Sequence, residues 1–302
     1  MTATTWNLNM GKYLVHILIV GALFINEHIV AQNNSYTIIY DQVYPRLNEG
    51  NYFLAKSLFE DLKQIYNIDP AERVKFSRYA LENGDIDYFK SEQIDLIKNY
   101  GYFFTSADTI KFGIYHELLK KNNLLEWLID QTNQNYPLWV KENPDAFFMQ
   151  QKILAMTEAN KSRYYFYRLM DYHNERNDSL AHNEVLKYLQ DFDFTQLYEI
   201  IEISRNNGLP NNFDFGYNTY YQIQIILTNN MFDKFNFERT WHHIFPLLEM
   251  AYFDGKISNT FLFLYDEACE KHYNHQYYGT LENVTVKDST GLKARRIKFG
   301  LF

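Results

Sequence analysis

Three potential metal ligands, Cys269, His272 and His275, lie at three-residue spacing near the end of the chain. Thiolate and imidazole are ligands that zinc uses in proteins, and the His242-His243 pair would add donors if the fold brought it close. Side chains at this spacing drift across a helix face, so the three converge only if the helix ends near Tyr273. The spacing matches no established zinc motif, which favours surface histidines and a half-buried thiol. We therefore predict no metal site and no other cofactor.

A second set of polar residues follows further along the chain: Gln276, Tyr278, Thr280, Arg295 and Arg296. These side chains could line a pocket for a carboxylate or phosphate, because guanidinium groups bind such anions through paired hydrogen bonds. The alternative is structural. The glycine between Tyr278 and Thr280 permits a turn with positive φ, and Gln276 could satisfy backbone groups at a helix end.

No phosphate-binding glycine loop, serine nucleophile elbow, paired-cysteine metal site or His-Glu-x-x-His helix occurs in the sequence. The sequence therefore identifies no catalytic residue. It favours a protein that is not an enzyme.

The pattern of apolar residues around these groups predicts mostly helices. Leu54, Leu58, Leu62 and Ile65 recur at three- and four-residue spacing, and Asn, Gly and Pro separate similar segments along the chain. We predict an all-α fold of antiparallel helix pairs, either a repeat array or an irregular one. A small extended segment or hairpin is expected near residues 277–290, where valines alternate with polar residues.

A faint repeat occurs in the first half of the chain. The segments around Gly50 and Gly84 are 34 residues apart, and each precedes a helix of similar polarity. That period is typical of tetratricopeptide-like helix pairs, although an irregular bundle explains two copies equally well. We predict a repeat-like region over residues 36–190, with stacked helix pairs over 36–135.

The N-terminus has the features of an export signal. Residues 14–25 form a predominantly apolar run after Lys12, and Ala31 offers a small residue for cleavage. The run is too short to span a bilayer, and a buried first helix is the alternative. The Val-Ala-Gln ending at Ala31-Gln32 resembles signal peptides of Bacteroidetes-type bacteria. We predict that residues 1–31 are a signal peptide and that the protein is periplasmic or extracellular, with no integral membrane span after its removal.

Charge and cysteine content limit the partners and the covalent structure of the chain. The 302 residues carry a net charge of -8, and Lys and Arg form no long cluster, which argues against a nucleic-acid partner. The single cysteine cannot form an internal disulfide even in an oxidising compartment. A protein or peptide partner remains compatible with the sequence.

Residues 194–302 resemble a bacterial domain family of unknown function. The resemblance rests on the segment 275–280, which carries the family's Gln-x-Tyr-Gly-Thr motif, and on the double-Arg, Gly-Leu tail at 295–301. At the end of the second helix, where the family usually carries a His, this chain has Thr228-Asn229-Asn230. The resemblance implies a C-terminal helical domain and names no activity. If the missing His is catalytic in the family, this chain lacks it.

Two hypotheses for function follow. The first is an exported interaction or scaffold protein that uses its N-terminal helix pairs. The second is a small-molecule-binding or hydrolytic domain that uses the C-terminal polar motif. A groove over residues 36–135 would favour the first, and a pocket joining Gln276, Thr280 and Arg295 would favour the second.

Overall fold

The computed structural model describes residue 36, residues 38–104 and residues 113–301. Within these ranges all elements are helical, which confirms the all-α prediction; the only β pairing is an isolated parallel bridge between Gln276 and Val286. No helix of this part is long and apolar enough to cross a membrane. The predicted signal peptide lies outside the described residues. The helices are α1 Tyr44–Asn48, α2 Tyr52–Ile65, α3 Pro70–Glu82, α4 Ile86–Tyr100, α5 Gly113–Lys121, α6 Leu125–Glu142, α7 Pro144–Ala159, α8 Arg163–Glu175, α9 Ser179–Asn207, α10 Thr219–Met231, α11 Lys234–Phe253, α12 Thr260–Tyr273 and α13 Leu292–Lys298.

Two compact units make up the chain. The first contains the described residues up to Asn67 and the short stretch Phe253–Gly255, and the second contains Ile68–Tyr252 and the residues from Lys256 onward. Helix α9 continues without a break through residues 190–194, where the sequence analysis places a domain boundary.

In the first unit, a π-helical turn at Ile39–Val43 leads directly into α1, and both contact α2. The predicted helix over Leu54–Ile65 is present, but it buries a different face from the leucine stripe. Leu54 is 50% exposed and Ile65 is 67% exposed, and of the predicted stripe only Leu62 is buried. The buried face instead carries Tyr52, Ala55, Phe59 and Leu62.

In the second unit, α3 contacts α4 and α5, and α4 and α5 both contact α6. Their apolar faces form one core cluster, which includes Phe89, Leu96, Leu119 and Leu128. Further along the chain, α7 contacts α10, α8 contacts α9, and α10 contacts both α9 and α12. These last helices position the C-terminal residues.

One type of turn joins four of the consecutive helix pairs. Gly50 and Gly84 both have φ of 78°, and the amide of each bonds the carbonyl three residues earlier, at 3.0 Å and 3.2 Å. The next amide bonds the carbonyl five residues earlier, which completes a Schellman motif. Asn123 and Asn177 make the same bonds at φ of 54° and 56°. The third turn thus lacks glycine because asparagine also tolerates the left-handed conformation.

Candidate functional site

Of the C-terminal polar residues, Gln276, Tyr278 and Thr280 lie in the loop between α12 and α13, and Arg295 and Arg296 belong to α13. Helix α12 ends at Tyr273, and Asn274 adopts the left-handed conformation with φ of 55° and reverses the chain. The extended part of the loop is short: Gln276 accepts from the amide of Lys287 and donates its own amide to Thr285, both at 2.9 Å. The predicted extended segment therefore consists of one isolated β-bridge, between Gln276 and Val286.

Asp266 of α12 is the centre of this loop. Its carboxylate is fully buried and accepts hydrogen bonds from the amides of Tyr277 at 2.7 Å, Tyr278 at 3.0 Å and Thr280 at 3.0 Å. The hydroxyl of Thr280 is the fourth donor, at 2.8 Å. We call Asp266 and these donors the loop hub. The sequence analysis missed this role, because nothing local marks an acidic residue in mid-helix as the acceptor for amides in the following loop.

The side chain of Gln276 bonds to backbone groups of the loop. Its side-chain nitrogen donates to the carbonyls of Leu281 at 2.9 Å and Val284 at 2.6 Å, and its side-chain oxygen accepts from the Leu281 amide at 2.8 Å. The residue is 2% exposed. Gln276 thus closes the loop on itself, as the structural alternative requires.

The two arginines clamp the loop from α13. Arg295 donates to the Tyr277 carbonyl at 3.1 Å and to the Asp288 carboxylate at 2.7 Å, and its guanidinium lies 3.8 Å from the centre of the Tyr277 ring. Arg296 donates to the Gly279 carbonyl at 2.5 Å. Gly279 has φ of 71°, which a side chain would strain. Because Asp288 accepts from Arg295 and from the Gly291 backbone, its pKa lies below the ordinary value.

Tyr278 is buried and packs edge-on against Tyr265 and Phe299, with ring centres 5.6 Å and 5.9 Å away. Burial raises the pKa of its hydroxyl. The five predicted ligand-binding residues thus lie together, in this loop and in α13. The polar side chains among them bond to backbone and carboxylate groups of the loop and of α12.

The three metal candidates do not converge. In the described part of the chain, no three His, Cys, Asp or Glu side chains come close enough to hold a metal ion together. Cys269 is buried, and burial raises the pKa of its thiol to about 11, so the metal-free thiol is protonated at neutral pH. His272 bonds the Met231 carbonyl at 2.9 Å, and His275 bonds the Tyr273 carbonyl at 3.2 Å.

An aromatic cleft of about 580 Å³ lies beside the loop. Its walls come from α11, α12 and the loop, and the Tyr265 ring lies 4.2 Å from Trp241 and 5.5 Å from Phe237 between ring centres. The loop contributes Tyr277 and His275, which sequence reasoning had not assigned to a cleft. The remaining lining residues are Glu238, His242, Cys269, Tyr273, Lys287 and Asp288.

The cleft has the size of small-molecule sites and combines aromatic walls with a few polar groups, as such sites do. Aromatic faces bind apolar or planar ligand surfaces, and the ionisable groups at its edge can orient a polar one. What the arrangement supports is binding.

Comparison with known proteins gives the chain no relative: no family model, no curated protein and no solved structure matches it.

Proposed function

We propose that this chain is an exported helical protein that binds a protein partner through an exposed face of α8. One observation carries the proposal. Tyr165, Leu169 and Tyr172 follow one another at helical spacing and are 70%, 48% and 48% exposed. We call these three residues the tyrosine stripe.

Packing against the rest of the protein does not require the stripe residues to be apolar. In α8 only Met170 is buried, so core packing does not explain large apolar side chains on the other faces. Tyrosine is enriched at protein interfaces because it offers a large contact area with little loss of side-chain entropy. Contiguous exposed apolar surface on a helix marks an interaction site. The stripe therefore supports a helix-mediated protein contact.

Site-specific photo-crosslinking tests this contact. A photoreactive amino acid in place of Tyr165 should form a discrete adduct with a partner in cells of the native host. The matched control is the same substitution at Phe148 of α7, which is 68% exposed. An adduct at position 165 that disappears when Leu169 and Tyr172 are changed to Ala, with none at 148, is the expected result. Equal labelling at both positions would contradict the proposal.

The scaffold part of the proposal rests on the helix pairs. The identical Schellman turns at Gly50 and Gly84 support a repeat of the tetratricopeptide kind, and so does the order in which α3 contacts α5 while α4 contacts α6. The resemblance of residues 194–302 to a bacterial family of unknown function remains part of the proposal.

Export rests on the sequence of residues 1–31. The apolar run at 14–25 and the small residue Ala31 are the features of a cleaved signal. N-terminal sequencing of the protein from fractionated host cells tests it. A mature N-terminus near Gln32 in the periplasm or medium is expected, and an intact Met1 or Met10 on a cytoplasmic protein would contradict it.

A second candidate function, small-molecule binding, is favoured by the aromatic cleft. A ligand found by screening should shift the NMR signals of cleft residues, and its affinity should fall in His242→Ala. His243→Ala is the matched control, because the two histidines are adjacent and exposed and only His242 lines the cleft. A ligand that binds both variants with equal affinity would have its site outside the cleft.

A further inference from the structure

A second cavity, of about 400 Å³, lies among α8, α9, α10 and α12. Asp193 of α9 lines it and is 3% exposed. Asp233, between α10 and α11, adds a second carboxylate to the wall. We call this space the Asp193 cavity.

The two oxygens of Asp193 have different surroundings. Oδ2 accepts a hydrogen bond from Arg163 of α8, whereas Oδ1 is buried and has no hydrogen-bond partner in the protein. A buried carboxylate oxygen without a donor is costly, because burial removes the water that would otherwise solvate it. A donor from outside the chain would remove this cost.

The cationic side chains of the cavity already have partners in the protein. Arg163 donates to Tyr167 at 2.6 Å as well as to Asp193, and Lys271 donates to the Phe232 carbonyl at 3.1 Å. Asp233 accepts from Gln190 at 3.0 Å. An oxygen of Asp233 retains lone pairs after these bonds, so both carboxylates can accept from a bound donor.

A polar network holds the carboxylates in place. Asn230 is fully buried and donates to the Asp193 carbonyl at 2.9 Å, while the amide of Asn236 donates to Asp233 at 2.9 Å. Asn236 also donates to the side-chain oxygen of Asn230 at 3.2 Å. The network fixes the walls before any ligand arrives, which lowers the entropy lost on binding.

Part of the wall is apolar, and Thr228 and Asn229 of α10 add polar groups to it. Leu186 and Leu189 of α9 and Phe232 after α10 line the cavity beside the carboxylates. A matching ligand therefore carries hydrogen-bond donors with positive charge at one end and a short apolar body at the other. The volume lies within the range of small-molecule sites.

We propose that the Asp193 cavity binds the primary ammonium group of a small organic amine. The ammonium donates to Oδ1 of Asp193 and to Asp233, and the carbon chain contacts Leu186, Leu189 and Phe232. The site is separate from the tyrosine stripe, because no stripe residue lines this cavity. The proposal therefore does not depend on the partner-binding function.

Calorimetry with the full chain tests the charge requirement. Hexylamine is the probe, and hexan-1-ol is its uncharged counterpart of similar length. Hexylamine should bind at least about tenfold more tightly, because hydrogen bonds between charged groups are the stronger ones. Equal affinities for the amine and the alcohol, or no binding of either, would overturn the proposal; the second result would mean that water alone occupies the cavity.

Variants locate the site. Asp193→Asn should weaken hexylamine binding roughly tenfold to a hundredfold, and Asp233→Asn should weaken it less. Asp191→Asn is the matched control, because Asp191 lies two residues away on the same helix, is exposed and does not line the cavity. If circular dichroism shows that Asp193→Asn is unfolded, Asp233→Asn decides, since it leaves the Arg163 pair intact. Wild-type affinity in the folded variants would overturn the assignment.

A peptide N-terminus carries the same ammonium as a free amine, and leucinamide distinguishes the two sources. Tighter binding of leucinamide than of hexylamine supports a peptide N-terminus as the natural ligand. The reverse order supports a free alkylamine.

Discussion

Asp193 and Asp266 are both buried aspartates on helices of the same compact unit, and their carboxylates are satisfied to different degrees. Asp266 accepts hydrogen bonds from four donors in the loop that follows its own helix. Asp193 has one cationic partner and one oxygen without a partner in the protein. A saturated carboxylate of this kind determines a local fold, whereas an unsaturated one that lines a cavity can receive a ligand.

The two regions also differ in how far their partners lie along the chain. The donors to Asp266 are 11 to 14 residues away. The residues around Asp193 are gathered from Arg163 to Lys271. The loop hub can therefore form once α12 and its following loop meet, while the cavity requires four helices to pack together. Four measurements test whether the two carboxylates differ in this way.

The largest effect is expected for Asp266→Ala, which should lower the free energy of unfolding by about 3–5 kcal/mol. The change strands buried amide donors, and each stranded donor costs about 1–3 kcal/mol. Urea unfolding followed by circular dichroism measures it. Asp266→Asn is the control and should cost less, because its amide oxygen still accepts. A loss no larger than that of an exposed-site variant would show that the loop does not depend on the hub.

A smaller loss is expected for Asp193→Asn, about 1–3 kcal/mol, because the variant weakens the hydrogen bond from Arg163 and puts an amide NH2 where a buried carboxylate oxygen stood. Arg163 keeps its bond to Tyr167, which limits the loss. The same unfolding experiment measures it, with Asp191→Asn as the reference. A loss equal to that of Asp266→Ala would remove the contrast between the two carboxylates.

Thr280→Ala should cost about 1 kcal/mol, since one hydroxyl bond to Asp266 disappears while the three amide bonds remain. Thr280→Ser keeps the hydroxyl and should lie closer to the wild type. If the two variants are equally stable, the hydroxyl contributes nothing to the hub. Unchanged stability with loss of a ligand would instead support a binding role for the C-terminal motif.

The difference in unfolding free energy between the wild type and Asp193→Asn should itself depend on pH. Burial raises the pKa of Asp193 above its ordinary value of 3.8, and this outweighs the lowering by Arg163. Asp233 and Lys271 line the same cavity, and the negative charge of Asp233 adds to the rise. A carboxyl whose pKa is higher in the folded state stabilises the fold below 3.8 and loses that contribution as the pH rises through the raised value.

The measurement is the difference in unfolding free energy between wild type and Asp193→Asn across this window, and it should shrink as the pH rises. Subtracting the variant removes the contribution of carboxyl groups that do not interact with Asp193, because their titration is common to both proteins. A difference that grows with pH would mean that the Arg163 ion pair dominates over burial.

Much of the local structure could be predicted from the sequence. Helical spacing of apolar residues predicted the all-α fold, and the paired glycines at 50 and 84 predicted two turns of one geometry. Both are local properties: a helix has a fixed period, and a left-handed residue after a helix stops it. The glycine at 279 within the C-terminal motif is a turn residue for the same reason.

Which face a helix buries was decided by tertiary structure alone. The leucine stripe of α2 is largely exposed at Leu54 and Ile65, while Ala55 and Phe59 are buried, because the neighbouring elements and not hydrophobicity alone determine the packed face. The Asp266 hub and the Asp193 cavity have the same origin, since each joins residues whose separation along the chain gives no local signal. Residue patterns along the chain therefore fix where helices and turns form, whereas packing fixes which buried polar groups find hydrogen-bond partners within the protein.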